Sequence, residues 1–353
     1  MAASAVSGLV KDTASGAQAG GRAAGEILAQ ARAATGAAHR SAVDALPGLV
    51  RHIAGYHIGW WDADGRPCDH GGKMIRPALT LACARAVSGQ AEWPEAAVAA
   101  AVSVELIHDF SLLHDDVMDK DLTRRGRRTA WAQFGASQAI LAGDALLVAA
   151  MDLAGGGRAA IVLSQAVLEL CAGQSADLAF ETRSGVGLGE CLTMAEQKTG
   201  ALLGAACQLG AMAGGADDTA ASWYRAFGRE LGLAFQLADD LLGIWGDPLV
   251  TGKPAGSDLT SRKKSLPVVA ARASGTEAGD HLGKLYEQDG EMSPQTAARA
   301  ARLVEAAGGR AWAQQEAERR TAAALTALAR AHPDPGGTAD LRALAAVIAR
   351  RDL

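Results

Sequence analysis

Long stretches rich in alanine and leucine dominate the hydrophobic pattern of this chain. Alanine and leucine favour helices, and clusters of glycine, proline or polar residues separate the stretches from one another. The predicted helices cover residues 77–88, 95–119, 135–153, 157–181, 189–213 and 217–245. A further helical region runs from residue 295 to residue 353 and is interrupted at 332–337. No run of alternating β-branched residues occurs, so we predict an all-α fold without a sheet.

The first 40 residues differ from the rest in composition. They are mostly alanine, glycine and serine, with too few large apolar groups to offset the entropy of ordering. We therefore expect residues 1–40 to form a flexible extension with a transient helix near 25–34, and residues 41–353 to form a single domain. Removing residues 1–35 should then leave activity nearly unchanged. Glycine, aspartate and proline make the segment 59–67 a predicted loop.

Composition and charge exclude several classes of protein. Of the 353 residues 49% are hydrophobic and only 4% aromatic, and the net charge is −5. An acidic chain of this kind is unlike a non-specific nucleic-acid binder. The five cysteines form no CxxC pair, which is typical of reduced thiols in a cytoplasmic protein. Polar residues such as Glu105, Asp144 and Gln208 interrupt the apolar stretches, so we expect no transmembrane segment.

Two clusters of aspartate follow apolar helices. Asp115 and Asp119 are four residues apart and would share one face of a helix, where like charges repel unless a cation compensates them. Mg²⁺ prefers such oxygen ligands. The alternative is a solvated acidic surface, but the preceding segment 96–113 is almost wholly apolar. The second cluster, Asp239 and Asp240, repeats this arrangement, so two facing sites could hold Mg²⁺ around a polyanion.

Lysines are scarce and lie beside these clusters. Only eight of the 34 basic residues are lysine, and five of the eight fall in or near the motifs. The cations are Lys73, Arg76, Arg124, Arg125, Lys198, Lys253, Lys263 and Lys264. A role in solubility would explain any one group of these cations, but it does not explain why the scarce lysines concentrate near the aspartate clusters. Metal-binding acids with two separate sets of cations imply two diphosphates, and the apolar walls imply that the rest of each substrate is hydrocarbon. No Walker A, GxGxxG, GxSxG or HExxH motif is present.

Seven motifs occur in an order that resembles a known family. They are GGKMIRP, ELIHDF, DDVMD, RRG, GQSADL, KTG, and FQLADD with TGK downstream. The chain from about residue 70 to its end resembles the trans-isoprenyl diphosphate synthases, or polyprenyl synthetases, and most of all a bacterial geranylgeranyl diphosphate synthase. The resemblance implies the all-α isoprenoid synthase fold, a bundle of long helices around a deep central cavity, in a homodimer. It also implies condensation of isopentenyl diphosphate with an allylic diphosphate, using three Mg²⁺ ions per site.

The resemblance assigns roles to individual residues. Isopentenyl diphosphate would be held by Lys73, Arg76, His108 and Arg125. The first Mg²⁺ motif would be Asp115, Asp116 and Asp119, which hold the allylic diphosphate with Arg124, and the second Asp239 and Asp240. The leaving diphosphate would contact Lys198 and Lys253, with Lys263 and Lys264 close by. Thr199 and Gln236 would face the reacting carbons, and Gln174 and Asp177 would support the site.

Two features depart from the family pattern. Gly243 replaces the third aspartate of the second motif, and Asp247 lies about 12 Å further along a helix, too far to share an ion directly. Arg128 and Trp131 alter the segment after Arg125, which raises doubt about packing there.

Product length depends on bulk below the first motif. Ser111 is small and Phe110 is large, a combination that in the family accompanies twenty-carbon products. Geranylgeranyl diphosphate is therefore favoured and farnesyl diphosphate is second.

Alternatives remain at this point. They are a class I terpene cyclase, a prenyltransferase for a non-isoprenoid acceptor, and an inactive partner subunit. The N-terminal extension also resembles that of synthases associated with encapsulin-type shells. It is thus either a docking tail, which would put the enzyme inside a protein nanocompartment, or an unconstrained leader.

Overall fold

The structure, a computed structural model, describes residues 22–247, 256–288, 290 and 292–350. Its helices are α1 (Ala24–Asp44), α2 (Gly48–Ile58), α3 (Ile75–Ser88), α4 (Glu95–Met118), α5 (Ala130–Phe134), α6 (Ala136–Leu153), α7 (Gly157–Thr182), α8 (Leu188–Ala195), α9 (Ala201–Ala213), α10 (Asp218–Trp245), α11 (Ser257–Thr260), α12 (Leu266–Arg272), α13 (Glu277–Tyr286), α14 (Pro294–Ala306), α15 (Gly309–Arg330) and α16 (Pro335–Arg350). A π-helical turn, Glu196–Gly200, joins α8 to α9. The predicted all-α class is confirmed, and the long helices lie close to their predicted limits.

The hydrophobic pattern did not predict a short β-hairpin. Strand β1 (Thr123–Arg124) pairs antiparallel with β2 (Arg127–Arg128). The two residues of its turn, Arg125 and Gly126, both have positive φ, which suits a tight hairpin. Strands of two residues carry no detectable alternation, so sequence periodicity could not reveal them. The hairpin presents Arg124 and Arg125 beside the end of α4.

Helix α1 corrects the expected boundary of the ordered chain. Five residues spaced four apart, from Ile27 to Val43, are buried along one face. Ile27 and Ala31 join the core formed with α3 and α9. Arg22 pairs with the buried carboxylate of Asp340 on α16. The prediction of a flexible segment is therefore wrong for residues 24–40, while residues 1–21, with the proposed docking tail, lie outside the described residues.

Helix α4 is the centre of the bundle. Its residues from Ala97 to Leu113 are mostly buried, and it packs against α1, α3, α6 and α9. Its last turn carries the first aspartate cluster. Helix α10 packs between α9 and α15 and carries the second cluster near its end. Because both helices are anchored by apolar faces, the acidic ends are fixed in position.

Three helices are long and apolar enough to cross a membrane, by length and composition alone. From the sequence we expect no transmembrane segment. Three helices still qualify because their scattered polar residues do not bring the mean hydropathy below the level of a membrane span. In α4 the most apolar window is 72% buried inside the protein, which explains its composition. In α6 and α7 the corresponding share is 28%. These two helices expose Ile140, Leu141, Val148, Ile161 and Leu168, which we call the α6–α7 apolar face.

Truncation tests the role of α1. Deleting residues 1–35 removes Ile27 and Ala31 from the core, so the free energy of unfolding should fall by roughly 3 kcal/mol or more. Deleting residues 1–21 keeps all described residues and serves as the control. Thermal unfolding followed by circular dichroism should show a melting temperature lower by about 5 °C or more for the longer deletion. Equal melting temperatures for the two truncations would show that α1 adds nothing to stability.

Candidate active site

The first aspartate cluster contains two different kinds of carboxylate. Asp116 is 1% exposed, and its Oδ1 accepts hydrogen bonds from Arg124 Nε and Nη2 at 2.8 and 2.6 Å. Asp115 is half-buried and Asp119 is exposed. Burial raises the pKa of Asp115 to about 6; nearby Lys198 opposes this and Asp119 adds to it. Asp115 and Asp119 are thus the two more accessible acids of the cluster, while Asp116 fixes Arg124.

The second cluster shows the same division. Asp240 is 3% exposed, and its Oδ2 accepts a hydrogen bond of 2.9 Å from the backbone N–H of Leu266. Its Oδ1 accepts a hydrogen bond of 2.9 Å from Gln236 Nε2 and lies 3.6 Å from Lys263 Nζ. Both oxygens are therefore engaged by the protein. Asp239, its neighbour on α10, is half-buried.

The π turn presents Lys198 and Thr199 between the two clusters. Such turns often occur at functional sites because they redirect side chains within a helix. Lys198 Nζ lies 2.6 Å from Asp177 Oδ2 on α7, and the Thr199 hydroxyl donates to Gln236 Oε1 at 2.7 Å. A hydrogen-bonded chain therefore runs from Thr199 through Gln236 to Asp240.

Electrostatic effects show that the two clusters face one another. The positive charges of Lys198, on the π turn, and Lys263, which follows α11, both lower the pKa of Asp119, although burial raises it overall. Burial also acts on Lys263, but Asp240 and Asp258 more than offset it and raise the pKa of its ammonium. The acids of α4 and α10 and these two lysines thus enclose one charged region.

A second group of cations lies around His108, which precedes Asp115 by two turns on the same face of α4. The pKa of His108 is well below its ordinary value, because the ring is buried and Arg76 and Arg125 lie close to it. Burial also lowers the pKa of Arg76, whose Nε is buried without a hydrogen-bond partner. Lys73 is exposed just before α3. A small cavity lined by Tyr56, His57, His70, Arg124 and Arg125 opens beside them.

Sequence reasoning missed two residues of this second region. Arg32 of α1 donates to the Gly72 carbonyl at 2.7 Å, and so holds the turn before Lys73. His57 lines the cavity. The buried residues of α1 recur every four positions, a pattern that could have indicated a helix that includes Arg32. The low apolar content of the segment obscured this pattern.

Asp109 joins α1 and α2 to α4 beneath the same region. Its two oxygens lie 3.8 Å from the Nε2 atoms of His39 and His57, and all three side chains are buried. Burial lowers the pKa of His39 to about 4 and that of His57 to about 3, where nearby arginines add to the effect. Burial raises the pKa of Asp109. Both histidines are thus neutral and neither Nε2 atom has a hydrogen-bond partner, so the three side chains meet only by packing.

Two predicted lysines are not part of the described site. Lys264 donates from Nζ to the carbonyls of Phe180 and Glu181, so it caps the end of α7 instead of facing the cavity. This corrects its predicted role in substrate binding, since a helix end with free carbonyls attracts a cation. Lys253 lies outside the described residues.

The altered residues near the hairpin have defined structural partners. Trp131 Nε1 and the Thr129 hydroxyl both donate to the carbonyl of Asp121, at 2.8 and 2.7 Å. The Tyr56 hydroxyl donates to the Arg128 carbonyl at 2.7 Å, while the Arg128 side chain points outward to Ala132. These contacts fasten the hairpin to α2 and to the end of α4.

The residues below the first cluster are densely packed. Phe110 is 7% exposed, and its ring meets that of His114 edge-on at 4.8 Å between centroids. His114 in turn lies against α6, where a Cβ on Gly143 would come within 2.4 Å of its Nε2. The Ser111 hydroxyl donates to the His108 carbonyl at 2.8 Å. Phe110 therefore rests on a supported ring, not on a flexible side chain.

The donor set suits Mg²⁺. Among the described residues no three acidic, histidine or cysteine side chains form a ready-made metal cluster. Asp115 and Asp119 instead present carboxylate oxygens whose ionised form burial disfavours, so they would gain from a bound cation. Mg²⁺ commonly takes one or two carboxylates, with water and phosphate oxygens completing its shell. The residues fit such an ion together with a diphosphate.

Comparison with known proteins agrees with this geometry. Residues 66–304 match the family model described as polyprenyl synthetase. The chain is 45% identical over 322 residues to (2E,6E)-farnesyl diphosphate synthase of Mycobacterium tuberculosis, covering 88% of this chain and 89% of that protein. It is 44% identical over 334 residues to geranylgeranyl diphosphate synthase of the same organism, covering 92% and 93%.

A solved structure is similar over almost the same range. Polyprenyl synthetase from Streptomyces coelicolor A3(2) superposes with a TM-score of 0.87 at 45% identity, covering 92% of this chain and 98% of that one. The family match over residues 66–304 includes both acidic helix ends. With the family model spanning more than half of its residues, the chain belongs to the polyprenyl synthetase family.

Proposed function

We propose that this protein is a prenyltransferase that condenses isopentenyl diphosphate with an allylic diphosphate to make a short-chain trans-prenyl diphosphate. The observation that carries the proposal is the presence of two separate diphosphate-binding regions. One lies between the acids of α4 and α10, with Lys198 and Lys263. The other is formed by Arg76, His108 and Arg125, with His108 two turns before Asp115 on α4. Relatives named as farnesyl and geranylgeranyl diphosphate synthases support it.

The charged region between α4 and α10 is suited to removing a diphosphate. Asp115, Asp119 and Asp239 would hold Mg²⁺, which supplies neutralisation of the departing diphosphate, and three ions per site are part of the proposal. Asp240 acts indirectly, because its oxygens already bind Gln236 and the Leu266 backbone. Asp116 holds Arg124 through Oδ1, and its Oδ2 has no hydrogen-bond partner. Lys198 and Lys263 add charges that favour departure of the leaving group.

The wall of the cavity is suited to the cation that remains. The oxygens of Thr199 and Gln236 are held in a hydrogen-bonded chain, so their dipoles are in place before the allylic cation forms. The second pocket holds isopentenyl diphosphate through Lys73, Arg76, His108 and Arg125, which brings its double bond to the cation. The proton that is finally lost passes to the departed diphosphate, so no side-chain base is required.

Three alternatives lose support in the described structure. A class I terpene cyclase has no need for the second cation pocket. A non-isoprenoid acceptor was suggested by Arg128 and Trp131, yet the side chain of each donates a hydrogen bond to a backbone carbonyl, that of Ala132 and that of Asp121. The inactive-subunit alternative also weakens, because the acids and Lys198 converge on one region.

We also propose that the protein is a homodimer that buries the α6–α7 apolar face. Members of the family are typically dimers. Five large apolar side chains are exposed on two adjacent helices, more than a solvated monomer surface normally presents together. Location in the cytoplasm, and docking to a protein shell through the first residues, stay predictions from the sequence.

Incubation with isopentenyl diphosphate and dimethylallyl, geranyl or farnesyl diphosphate in Mg²⁺ tests the main proposal. Products should be elongated by five-carbon units, as measured by mass spectrometry. Failure to elongate any of these primers would refute the proposed reaction.

Removing a cavity-facing acid should abolish turnover without harming the fold. For Asp115→Ala or Asp239→Ala we expect kcat to fall by about a thousandfold or more, because diphosphate departure loses its main stabilisation. Asp116→Ala should differ, since it strips the buried partner from Arg124 and lowers the free energy of unfolding by about 2 kcal/mol or more. Steady-state kinetics and thermal melts together separate the two classes. Near-normal rates for Asp115→Ala in saturating Mg²⁺ would show that another acid does this work.

Product length should depend on Phe110. Wild-type enzyme should release mainly the twenty-carbon product, and Phe110→Ala should shift the distribution to longer chains because the floor of the cavity is lowered. Leu106→Ala is the control: Leu106 is fully buried on the same helix, so its loss should cost roughly 2–5 kcal/mol without lengthening the product. Mass spectrometry of the products decides. An unchanged distribution from folded Phe110→Ala would exclude it as the determinant.

Arg32 should affect one substrate only. Arg32→Ala releases the turn before Lys73, so KM for isopentenyl diphosphate should rise about tenfold, with little change in KM for the allylic substrate. Arg40→Ala is the matched control, since Arg40 lies on the same helix with the same 50% side-chain exposure and pairs with Asp44 instead. Arg32→Lys should restore part of the loss. Equal effects on both KM values would indicate a general structural role.

A further inference from the structure

The two acidic helix ends are unequal in sequence. The first reads Asp115-Asp116-Val117-Met118-Asp119, with a third carboxylate one turn after the first. In the second, Gly243 stands at the corresponding position after Asp239. Residues four apart share a helix face, so a side chain at 243 would lie over Asp239. The second cluster therefore lacks one acid on the face that Asp239 shares.

The space beside Gly243 is filled by a carboxylate from another element. A Cβ built on Gly243 would lie 2.3 Å from Asp258 Oδ2, 2.5 Å from its Cγ and 2.8 Å from its Oδ1. Asp258 belongs to α11, the next described helix after α10. Only a glycine leaves room for this group. The acid missing from α10 is thus replaced in space by Asp258.

The position of Asp258 is well determined by its neighbours. The next residue, Leu259, is fully buried in the core beneath α13 and α14. The Asp258 carbonyl accepts a hydrogen bond of 2.8 Å from the backbone N–H of Lys263. Asp258 Oδ2 also lies 3.6 Å from Lys263 Nζ, which is itself 3.6 Å from Asp240 Oδ1. One lysine therefore bridges Asp258 to the second cluster.

The geometry points to Asp258 as a positioning residue of the active site, which supplies the third acid of the second cluster and holds Lys263 between two carboxylates. This inference deepens the proposed function and rests on it. Asp247, the alternative from the sequence, follows the end of α10 and is exposed to solvent. The carboxylate of Asp258 instead occupies the volume of the missing side chain.

Moving the acid back to α10 tests this assignment. Asp258→Ala should raise the Mg²⁺ concentration needed for half-maximal activity by about 10- to 100-fold, the size of effect seen when a group that orients metal ligands is lost. Adding Gly243→Asp to Asp258→Ala should recover most of that loss, because the new side chain enters the space just vacated. Adding Gly243→Asn instead gives a side chain of the same size without charge, and should not restore Mg²⁺ dependence.

A second readout does not require turnover. Mg²⁺-dependent binding of inorganic diphosphate, measured by calorimetry on the full chain, should weaken in Asp258→Ala and return in the double variant with Gly243→Asp. Asp280→Ala, an exposed acid on the nearby helix α13, serves as the control. If wild type binds Mg²⁺ and diphosphate but condenses no substrates, the proposed function fails while this comparison still decides the role of Asp258.

Stability data keep the test decisive. Thermal melts identify variants that do not fold, and Asp258→Asn then replaces Asp258→Ala as the variant that removes charge with least change in shape. The inference is overturned if folded Asp258→Ala and Asp258→Asn both behave like Asp280→Ala. It is also overturned if Gly243→Asp rescues no better than Gly243→Asn, or if Asp247→Ala alone reproduces the loss.

Discussion

Burial of carboxylates at two helix ends is the constraint on which the active site depends. Four of these acids, Asp115, Asp116, Asp119 and Asp240, have a pKa above the ordinary value because burial disfavours their charged form. Protein cations offset this only in part. Both oxygens of Asp240 and one oxygen of Asp116 are held by fixed donors, whereas the second oxygen of Asp116 has no hydrogen-bond partner. Such carboxylates would gain from a bound divalent cation.

The bundle brings these charges together because its helices approach closely. A Cβ on Gly173 would come within 2.4 Å of the Lys198 backbone nitrogen, and one on Gly232 within 2.6 Å of Gly200 Cα. These contacts press α7 and α10 against the π turn. Lys198 therefore meets Asp177, and Thr199 meets Gln236. Preorganised dipoles of this kind need little rearrangement when charge develops.

The second pocket depends on elements far from it in the chain. Arg32 on α1 holds the turn before Lys73, and Asp109 of α4 packs between His39 and His57. The hairpin contributes Arg125 from the far side. Since α1 also packs into the core, substrate binding and stability share the same contacts. A segment that looks like a leader by composition is thus part of the working enzyme.

The sequence determined most of the architecture and much of the chemistry. Long alanine-rich and leucine-rich stretches set the helices, because local propensity and apolar content act over short distances. The spacing of Asp115, Asp119 and Asp239, and the scarcity of lysine, indicated metal-assisted chemistry on diphosphates. Motifs read in order were enough to identify the family.

What the sequence could not decide depended on contacts between distant segments. Residues 24–40 form a helix because small residues on α1 fit closely against α3, a gain that appears only once both surfaces exist. Lys264 caps α7, although its place in the chain suggested the active site. Asp258 fills the space beside Gly243 because α11 packs against α10. Linear spacing measures distance along one helix only, so it could not show an acid supplied from another element.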